Sequence, residues 1–116
     1  MTVKVILNEQ HTLLEEQKEL ISNKFGDQWE ILSVPAAGWN RKEIGEVAKE
    51  LANDTVVFAS PIPLLLGTLA YEQGCGHSEG LQVLLLHNDK REKKELPTGK
   101  VISVVAKTGW ELIPIQ

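Results

Sequence analysis

Strand-like and helix-like hydrophobic patterns alternate three times along this chain. The predicted strands cover residues 3–7, 29–34 and 55–59, and each is followed by apolar residues at helical spacing. A fourth apolar strand is predicted over residues 81–86. This alternation is typical of α/β folds with a mainly parallel sheet, because each helix returns the chain to the edge where the previous strand began. We therefore predict a three-layer, Rossmann-like α/β sheet.

The end of the chain predicts antiparallel pairing. Residues 101–106 and 110–115 are strand-like, and the Lys107-Thr108-Gly109 segment between them suits a tight turn. We expect these two strands to form a C-terminal antiparallel hairpin. No linker, repeat or low-complexity segment divides residues 1–116, so we expect one domain.

Charge and cysteine content limit the classes of partner. A net charge of −4 argues against binding to long nucleic acid, which requires a basic face. No apolar run approaches the roughly 18 residues of a membrane span, and the N-terminus does not resemble a secretion signal. The single cysteine, Cys75, has no internal disulfide partner. These features predict a cytoplasmic protein without a membrane segment.

Each predicted helix begins with a residue typical of N-caps. The predicted caps are Thr12, Asn40 and Ser60. Pro61 and Pro63 fit the first turn of the third helix, where backbone N–H groups lack helical partners, and they make this junction a rigid rim. The N–H groups at these helix starts would attract an anion.

Ligands of open α/β sheets bind beyond the carboxyl ends of the strands, near the point where the strand order reverses. Four segments are predicted at that edge: residues 8–12, 35–40, 59–63 and 87–91. His11 and His87 each follow a strand, and each is interpreted either as a polar loop residue or as a proton carrier. Lys90 and Arg91 belong either to a solvated hairpin of mixed charge or to a phosphate site.

The segment GCGHSEG, residues 74–80, is predicted to be a loop. It follows a helix and precedes a strand, which is the wrong order for a dinucleotide-binding loop. Cys75 and His77 are two metal-ligand types without a second pair nearby, so they make a poor zinc site. We expect no metal and no cofactor.

The segment LNEQHTLLEEQKELI, residues 7–21, resembles the SH-x-LT-x-EQ opening of the small stand-alone CRISPR-associated ring nucleases. The better-matched positions are His11, Thr12, Glu16 and Gln17. The apolar strand before SPIPL, the fourth strand with its basic loop, and the closing GWELIPI fall in similar places. The resemblance implies a single domain, residues 1–116, with a fold like the CRISPR-associated Rossmann fold.

This resemblance also implies a function. The family binds a cyclic oligoadenylate second messenger, most often the tetramer, across a homodimer, and thereby switches off type III CRISPR signalling. Some members cleave the ring without metal, through attack of a ribose 2′-hydroxyl on the adjacent phosphate. Residues 87–91 here read His-Asn-Asp-Lys-Arg, whereas some relatives carry a threonine-rich stretch with arginine. Cleavage, sequestration without cleavage, and assembly beyond the dimer therefore stay open.

The residues expected to line the ligand site are Asn8, Gln10, His11, Ser60, Pro61, His87, Asn88, Lys90 and Arg91. His11 is the preferred catalytic candidate, with His87 as its competitor. Arg91 is expected to contribute most to phosphate binding, because a guanidinium holds two phosphate oxygens at once.

A role without nucleotide is the alternative. The chain would then be a protein-interaction module whose apolar SPIPLLL segment and tryptophans pack on a partner. Trp29 and Trp110 lie at strand starts and are predicted to be core residues. Trp39 follows a glycine in a loop and is predicted to be exposed.

Overall fold

A computed structural model describes residues 2–75, 80–88 and 90–115. The elements in this part of the chain are β1 (Val3–Asn8), α1 (Glu15–Phe25), β2 (Trp29–Val34), α2 (Arg41–Glu50), β3 (Thr55–Phe58), α3 (Pro63–Cys75), β4 (Gln82–His87), β5 (Arg91–Glu95), β6 (Val101–Val105) and β7 (Glu111–Pro114). His77 and Asp89 lie outside the described residues.

The main sheet has five strands in the order β2-β1-β3-β4-β7. Strands β1 to β4 are mutually parallel, and β7 runs antiparallel beside β4. This confirms the predicted α/β class with a mostly parallel sheet. The chain places β2 on one side of β1 and β3 on the other, so the strand order reverses between β1 and β3.

Helices cover both faces of this sheet. One core cluster joins Val5 and Leu7 of β1 to Ile21 of α1. The other joins Ile6, between them, to Leu65 of α3 and to residues of α2. Alternate side chains of a strand point to opposite faces, so β1 is buried on both, and the four residues of β3 are fully buried for the same reason.

The first helix begins later than the sequence predicted. Thr12 is not its N-cap, because α1 starts at Glu15 and the side chain of Gln17 accepts a hydrogen bond from Leu14 N, at 2.9 Å. The helix ends as predicted at Gly26, whose φ of 80° is unfavourable for other residues.

The predicted cap of the second helix is confirmed. Asn40 Oδ1 accepts from Glu43 N at 2.8 Å, and Glu43 Oε1 accepts from Asn40 N at 3.1 Å. These reciprocal bonds satisfy two backbone donors that the helix itself leaves without partners.

Ser60 is not the cap of the third helix. Helix α3 begins at Pro63, which confirms a proline at the first helical position but places Pro61 before the helix. The Ser60 hydroxyl instead accepts a hydrogen bond from Asn8 N at 2.9 Å. A bond to the neighbouring strand end has replaced the local capping bond.

The C-terminal hairpin was predicted with the wrong partners. The hairpin is formed by β5 and β6, in a separate two-stranded sheet, whereas β7 joins the main sheet beside β4. The turn of the hairpin contains Gly99, with φ +83°, and its N–H donates to Leu96 O. Strand β7 separates from β6 because β4 offers an unpaired edge and because Leu112 packs in the core cluster beside α1.

The tryptophans also differ in part from expectation. Trp29 and Trp110 pack against the cluster that contains α1, as predicted, although both are only partly buried. Trp39 was predicted to be exposed and is half-buried, because it packs against the cluster that contains α2 and α3. Among the described residues, no helix combines the length and apolar character that a membrane crossing requires.

Candidate functional site

The ends of β1 and β3 are joined by hydrogen bonds at the point where the strand order reverses. Asn8 N donates to Ser60 Oγ, and Ile6 O accepts from both Ala59 N and Ser60 N, at 2.9 Å in each case. The polar loop ends are thereby held as one surface at the carboxyl edge of the sheet.

Asn8 also folds the loop that follows β1. Its Oδ1 accepts from Gln10 N and its carbonyl accepts from His11 N, both at 2.9 Å. An asparagine that bonds the backbone two residues ahead is a common turn-forming device. This turn keeps His11 close to the sheet edge.

A pocket of about 520 Å³ opens at this edge on the α1 side of the sheet. We call it the switch-point pocket. Its lining residues are Leu7, Asn8, His11, Thr12, Leu14, Gln17, Ala59, Ser60, Pro61 and Trp110. Apolar walls with a few convergent polar groups are typical of small-molecule sites.

Four of the predicted site residues meet in the switch-point pocket: Asn8, His11, Ser60 and Pro61. Gln10 is exposed and does not line it. A second hollow, over β1 and β2, shares Leu7, Asn8, His11 and Thr12 with the first, so the end of β1 and the loop after it border both hollows.

His87 lies on the other face of the sheet from the switch-point pocket. It shares strand parity with Leu85, which packs on the side of α2 and α3, whereas Leu84 and Leu86 pack on the α1 side. The structure therefore does not bring the two candidate histidines together.

Asn88 connects the end of β4 to the chain before β7. Its Nδ2 donates to Ala106 O at 3.2 Å and to Thr108 O at 2.8 Å, and its Oδ1 accepts from Lys90 N at 2.8 Å. The residue is only 9% exposed. All of these bonds are internal, so its evident role is to hold this crossing of the chain.

The two predicted phosphate-binding cations lie beside that crossing. The Lys90 side chain lies against Gly109, where an added Cβ would be 2.6 Å from Lys90 Cδ. Arg91 Nη1 donates to the carbonyls of Asn88 and Lys90, at 3.3 and 3.0 Å. Gly109 directly precedes Trp110, so the Lys90 side chain lies beside the residue that forms this pocket wall, whereas neither Lys90 nor Arg91 lines the pocket itself.

Trp110 is anchored by α1 and by its own turn. Its backbone N–H donates to Glu16 Oε1 at 2.6 Å, and its indole Nε1 donates to Ala106 O at 3.1 Å. Glu9 is engaged in a similar way, since its Oε1 accepts from Ala36 N at 2.8 Å. Both carboxylates near the pocket are thus bonded to backbone donors.

The pocket contains residues that the sequence did not suggest as site residues. These are Leu7, Leu14, Gln17 and Trp110, whereas Thr12 and Ala59 belong to the segments 8–12 and 59–63 that were predicted at this edge. Trp110 reaches the pocket only because β7 pairs with β4, which a local pattern does not reveal. Gln17 belongs to residues 7–21, the segment that resembles the opening motif of the ring nucleases, and this resemblance was the one sequence feature that pointed to Gln17.

A separate hollow lies between α2 and α3, lined by small and apolar residues together with Lys49 and Glu72. It includes Leu81, which directly precedes β4, and thus lies away from the carboxyl edge where ligands of open α/β sheets bind, so we place the candidate site at the switch point. Within the described ranges, no three histidine, cysteine or acidic side chains group as a metal site would require.

Comparison of this chain with protein-family models, with curated proteins and with solved structures finds no significant match. The site is therefore characterised by its own geometry: a pocket with polar and apolar walls at the switch point of an α/β sheet, with the Lys90 side chain against Gly109 next to its Trp110 wall.

Proposed function

We propose that this protein binds a cyclic oligoadenylate, with the tetra-adenylate as first choice, in the switch-point pocket of a homodimer with a CRISPR-associated Rossmann-like fold. The carrying observation is the position of this pocket at the carboxyl ends of β1 and β3. Nucleotide ligands of open α/β sheets bind at that place. The resemblance of residues 7–21 to the opening motif of the ring nucleases is the reason for choosing a cyclic oligoadenylate as the ligand.

The pocket wall suits an adenosine. Trp110 and Pro61 offer apolar surface to a base, and aromatic stacking of a base contributes roughly 1–3 kcal/mol. The Ser60 hydroxyl accepts its bond from Asn8 N and retains its own proton to donate to the ligand.

The phosphates require positive charge, which the pocket lining lacks. We assign this role to Lys90, whose side chain lies against Gly109, and to Arg91, which follows it in the chain and bonds its carbonyl. Arg91 uses Nη1 for two carbonyls, and its other guanidinium N–H groups remain for phosphate oxygens. A few such contacts are sufficient for a small ring despite the net charge of −4.

We further propose that the ring is cleaved by its own 2′-hydroxyl. The 2′-oxygen bonds to the adjacent phosphorus while the bond from phosphorus to the 5′-oxygen breaks. The products are a 2′,3′-cyclic phosphate and a 5′-hydroxyl, with one proton lost and one gained. His11 is the histidine that lines the pocket in the described chain, and histidine is the side chain that most often serves as a general acid or base, so it is the candidate carrier.

Binding without cleavage is the second candidate. The nearby carboxylates of Glu9 and Glu16 bond backbone N–H groups, and neither pairs with His11 in the described structure. A histidine without an orienting partner is a weaker acid–base group. The protein would then sequester the messenger.

Calorimetry with cyclic tri-, tetra- and hexa-adenylate tests the binding. Micromolar affinity for one of them supports the proposal, and Trp110→Phe should reduce that affinity. No heat with any of the three rejects it and favours the protein-interaction module.

Incubation of bound ligand in EDTA tests cleavage. A linear product with a 2′,3′-cyclic phosphate indicates the nuclease, and intact ligand indicates sequestration. His11→Ala should slow cleavage about a hundredfold while sparing affinity. His87→Ala is the matched control, because that histidine lies on the other face of the sheet; an equal loss in both variants would contradict the role of His11.

A further inference from the structure

The hairpin of β5 and β6 extends from the main sheet as an arm. The two strands pack chiefly against each other, and the protein measures 52 × 32 × 22 Å. The radius of gyration is 15.5 Å, whereas a compact chain of this length has roughly 13 Å. A two-stranded hairpin alone is marginally stable in water. Among the residues that the structure describes, the arm therefore packs on little besides itself.

The two strands of the arm differ in character. Strand β5 reads Arg-Glu-Lys-Lys-Glu and is exposed throughout. Strand β6 reads Val-Ile-Ser-Val-Val, without a charge or a proline, and its Val101 is 56% exposed. Charged residues, lysine above all, prevent unwanted pairing at a sheet edge. Only the β6 edge of the arm lacks this protection.

The backbone of β6 also presents bonding groups outward. Ala106 N donates to Lys90 O and Leu96 N donates to Lys100 O, so residues 100 and 106 bond toward β5. Bonding alternates along an antiparallel strand, and the N–H and C=O groups of Val101, Ser103 and Val105 therefore point to the outer edge. This edge is a template for one further strand.

We propose that β6 pairs antiparallel with β6 of a second copy of this chain, about a two-fold axis at Ser103. The result is a continuous four-stranded sheet with β5 of each copy at its two edges. This pairing of β6 strands forms the homodimer that we propose binds the cyclic oligoadenylate. It rests on that proposed function only for the existence of a dimer.

The strand is complementary to itself in this register. Ser103 lies opposite Ser103 of the second copy, and Ile102 lies opposite its Val104. No like charges meet at the new pairing, and β-branched residues favour it. The charged β5 strands at the outer edges prevent a third copy from adding, so the assembly closes as a dimer.

The exposed area is consistent with a missing partner. The chain exposes 7486 Å², whereas a compact monomer of 12.9 kDa exposes about 6,300 Å². The difference of about 1,200 Å² exceeds the ~800 Å² that each partner buries in a standard interface.

Proline substitution on the two edges of the arm tests the proposal. Ser103→Pro removes an outward N–H and leaves the bonds to β5, so light scattering should show a monomer. Lys93→Pro is the matched control, because Lys93 faces Ser103 across the arm and its N–H points to the opposite edge. This variant should remain a dimer like the wild-type protein.

Disulfide trapping gives a second measurement that does not depend on the proline variant folding. With Cys75 replaced by serine, Ser103→Cys should form an intermolecular disulfide in oxidised glutathione, whereas Lys93→Cys should not. A monomeric wild-type protein, or a folded Ser103→Pro variant that stays dimeric, would overturn the proposal. Calorimetry on the same variants separates the two proposals: an arm-paired dimer without affinity for any of the rings would reject only the nucleotide function.

Discussion

Replacing Asn88 by alanine is expected to destabilise the protein by about 2–4 kcal/mol. The change removes three hydrogen bonds, at 3.2, 2.8 and 2.8 Å, from a residue that is 9% exposed. Each contributes about 1 kcal/mol net, and the partners left in a buried site add to the loss. The unfolding entropy of 116 residues is about 0.24 kcal/mol/K, so the melting temperature should fall by roughly 8–16 °C.

Thermal and urea unfolding followed by circular dichroism measure this effect. Asn53→Ala is the matched control, because Asn53 is exposed and its side chain should contribute little. If Asn88→Ala unfolds within about 0.5 kcal/mol of the wild-type protein, the three bonds from Asn88 to Lys90, Ala106 and Thr108 do not hold this crossing of the chain. A loss of ligand affinity in a folded, equally stable Asn88→Ala variant would instead indicate direct contact with the ligand.

Three further substitutions each test one contact or turn of the structure. Ser60→Ala removes the acceptor of Asn8 N and should lower stability by about 1 kcal/mol in urea unfolding, together with ligand affinity; an unchanged midpoint would contradict the strand-end linkage. Gly109→Ala places a side chain at φ +86° and should cost roughly 1–2 kcal/mol in the same assay, whereas a neutral effect would show that the turn relaxes. The hydrogen bond to Glu30 raises the pKa of Lys4 above its usual 10.5. The pair therefore stabilises the fold fully below pH 10.5, and this stabilisation is lost as the pH rises through the raised pKa. The free energy of unfolding should therefore fall less steeply with rising alkaline pH for Glu30→Gln than for the wild-type protein. Identical pH dependence of the two proteins would show that the pair does not stabilise the fold.

The part of the fold that depends on local patterns was predictable from the sequence. Residues 29–34 form a strand with the predicted limits, and Asn40 with Glu43 caps the second helix as expected. Strand β3 is buried on both faces, as its short apolar run indicated. Burial periodicity and the Asn40–Glu43 cap depend on residues within a few positions of one another, whereas the predicted caps Thr12 and Ser60 were wrong, since other bonds form at those helix starts.

The location of the candidate site was predictable in part, since four of the nine residues expected to line it do so. Asn8, His11, Ser60 and Pro61 were expected at the carboxyl edge and meet there in one pocket. Alternation of strands and helices implies this convergence before any contact is known. The sequence did not predict which bonds join these residues, since the Ser60 hydroxyl serves Asn8 rather than its own helix.

The pairing of the last three strands was decided by the tertiary structure alone. The sequence predicted strands over residues 101–106 and 110–115, which the structure shortens to Val101–Val105 and Glu111–Pro114. It did not predict that β6 pairs with β5 and that β7 fills the edge of β4. That choice depends on an unpaired strand edge and on bonds such as Trp110 N to Glu16 Oε1, between residues far apart in the chain. Local periodicity reports whether a strand forms, whereas its partner is set by the competition among all the edges that the folded chain brings within reach.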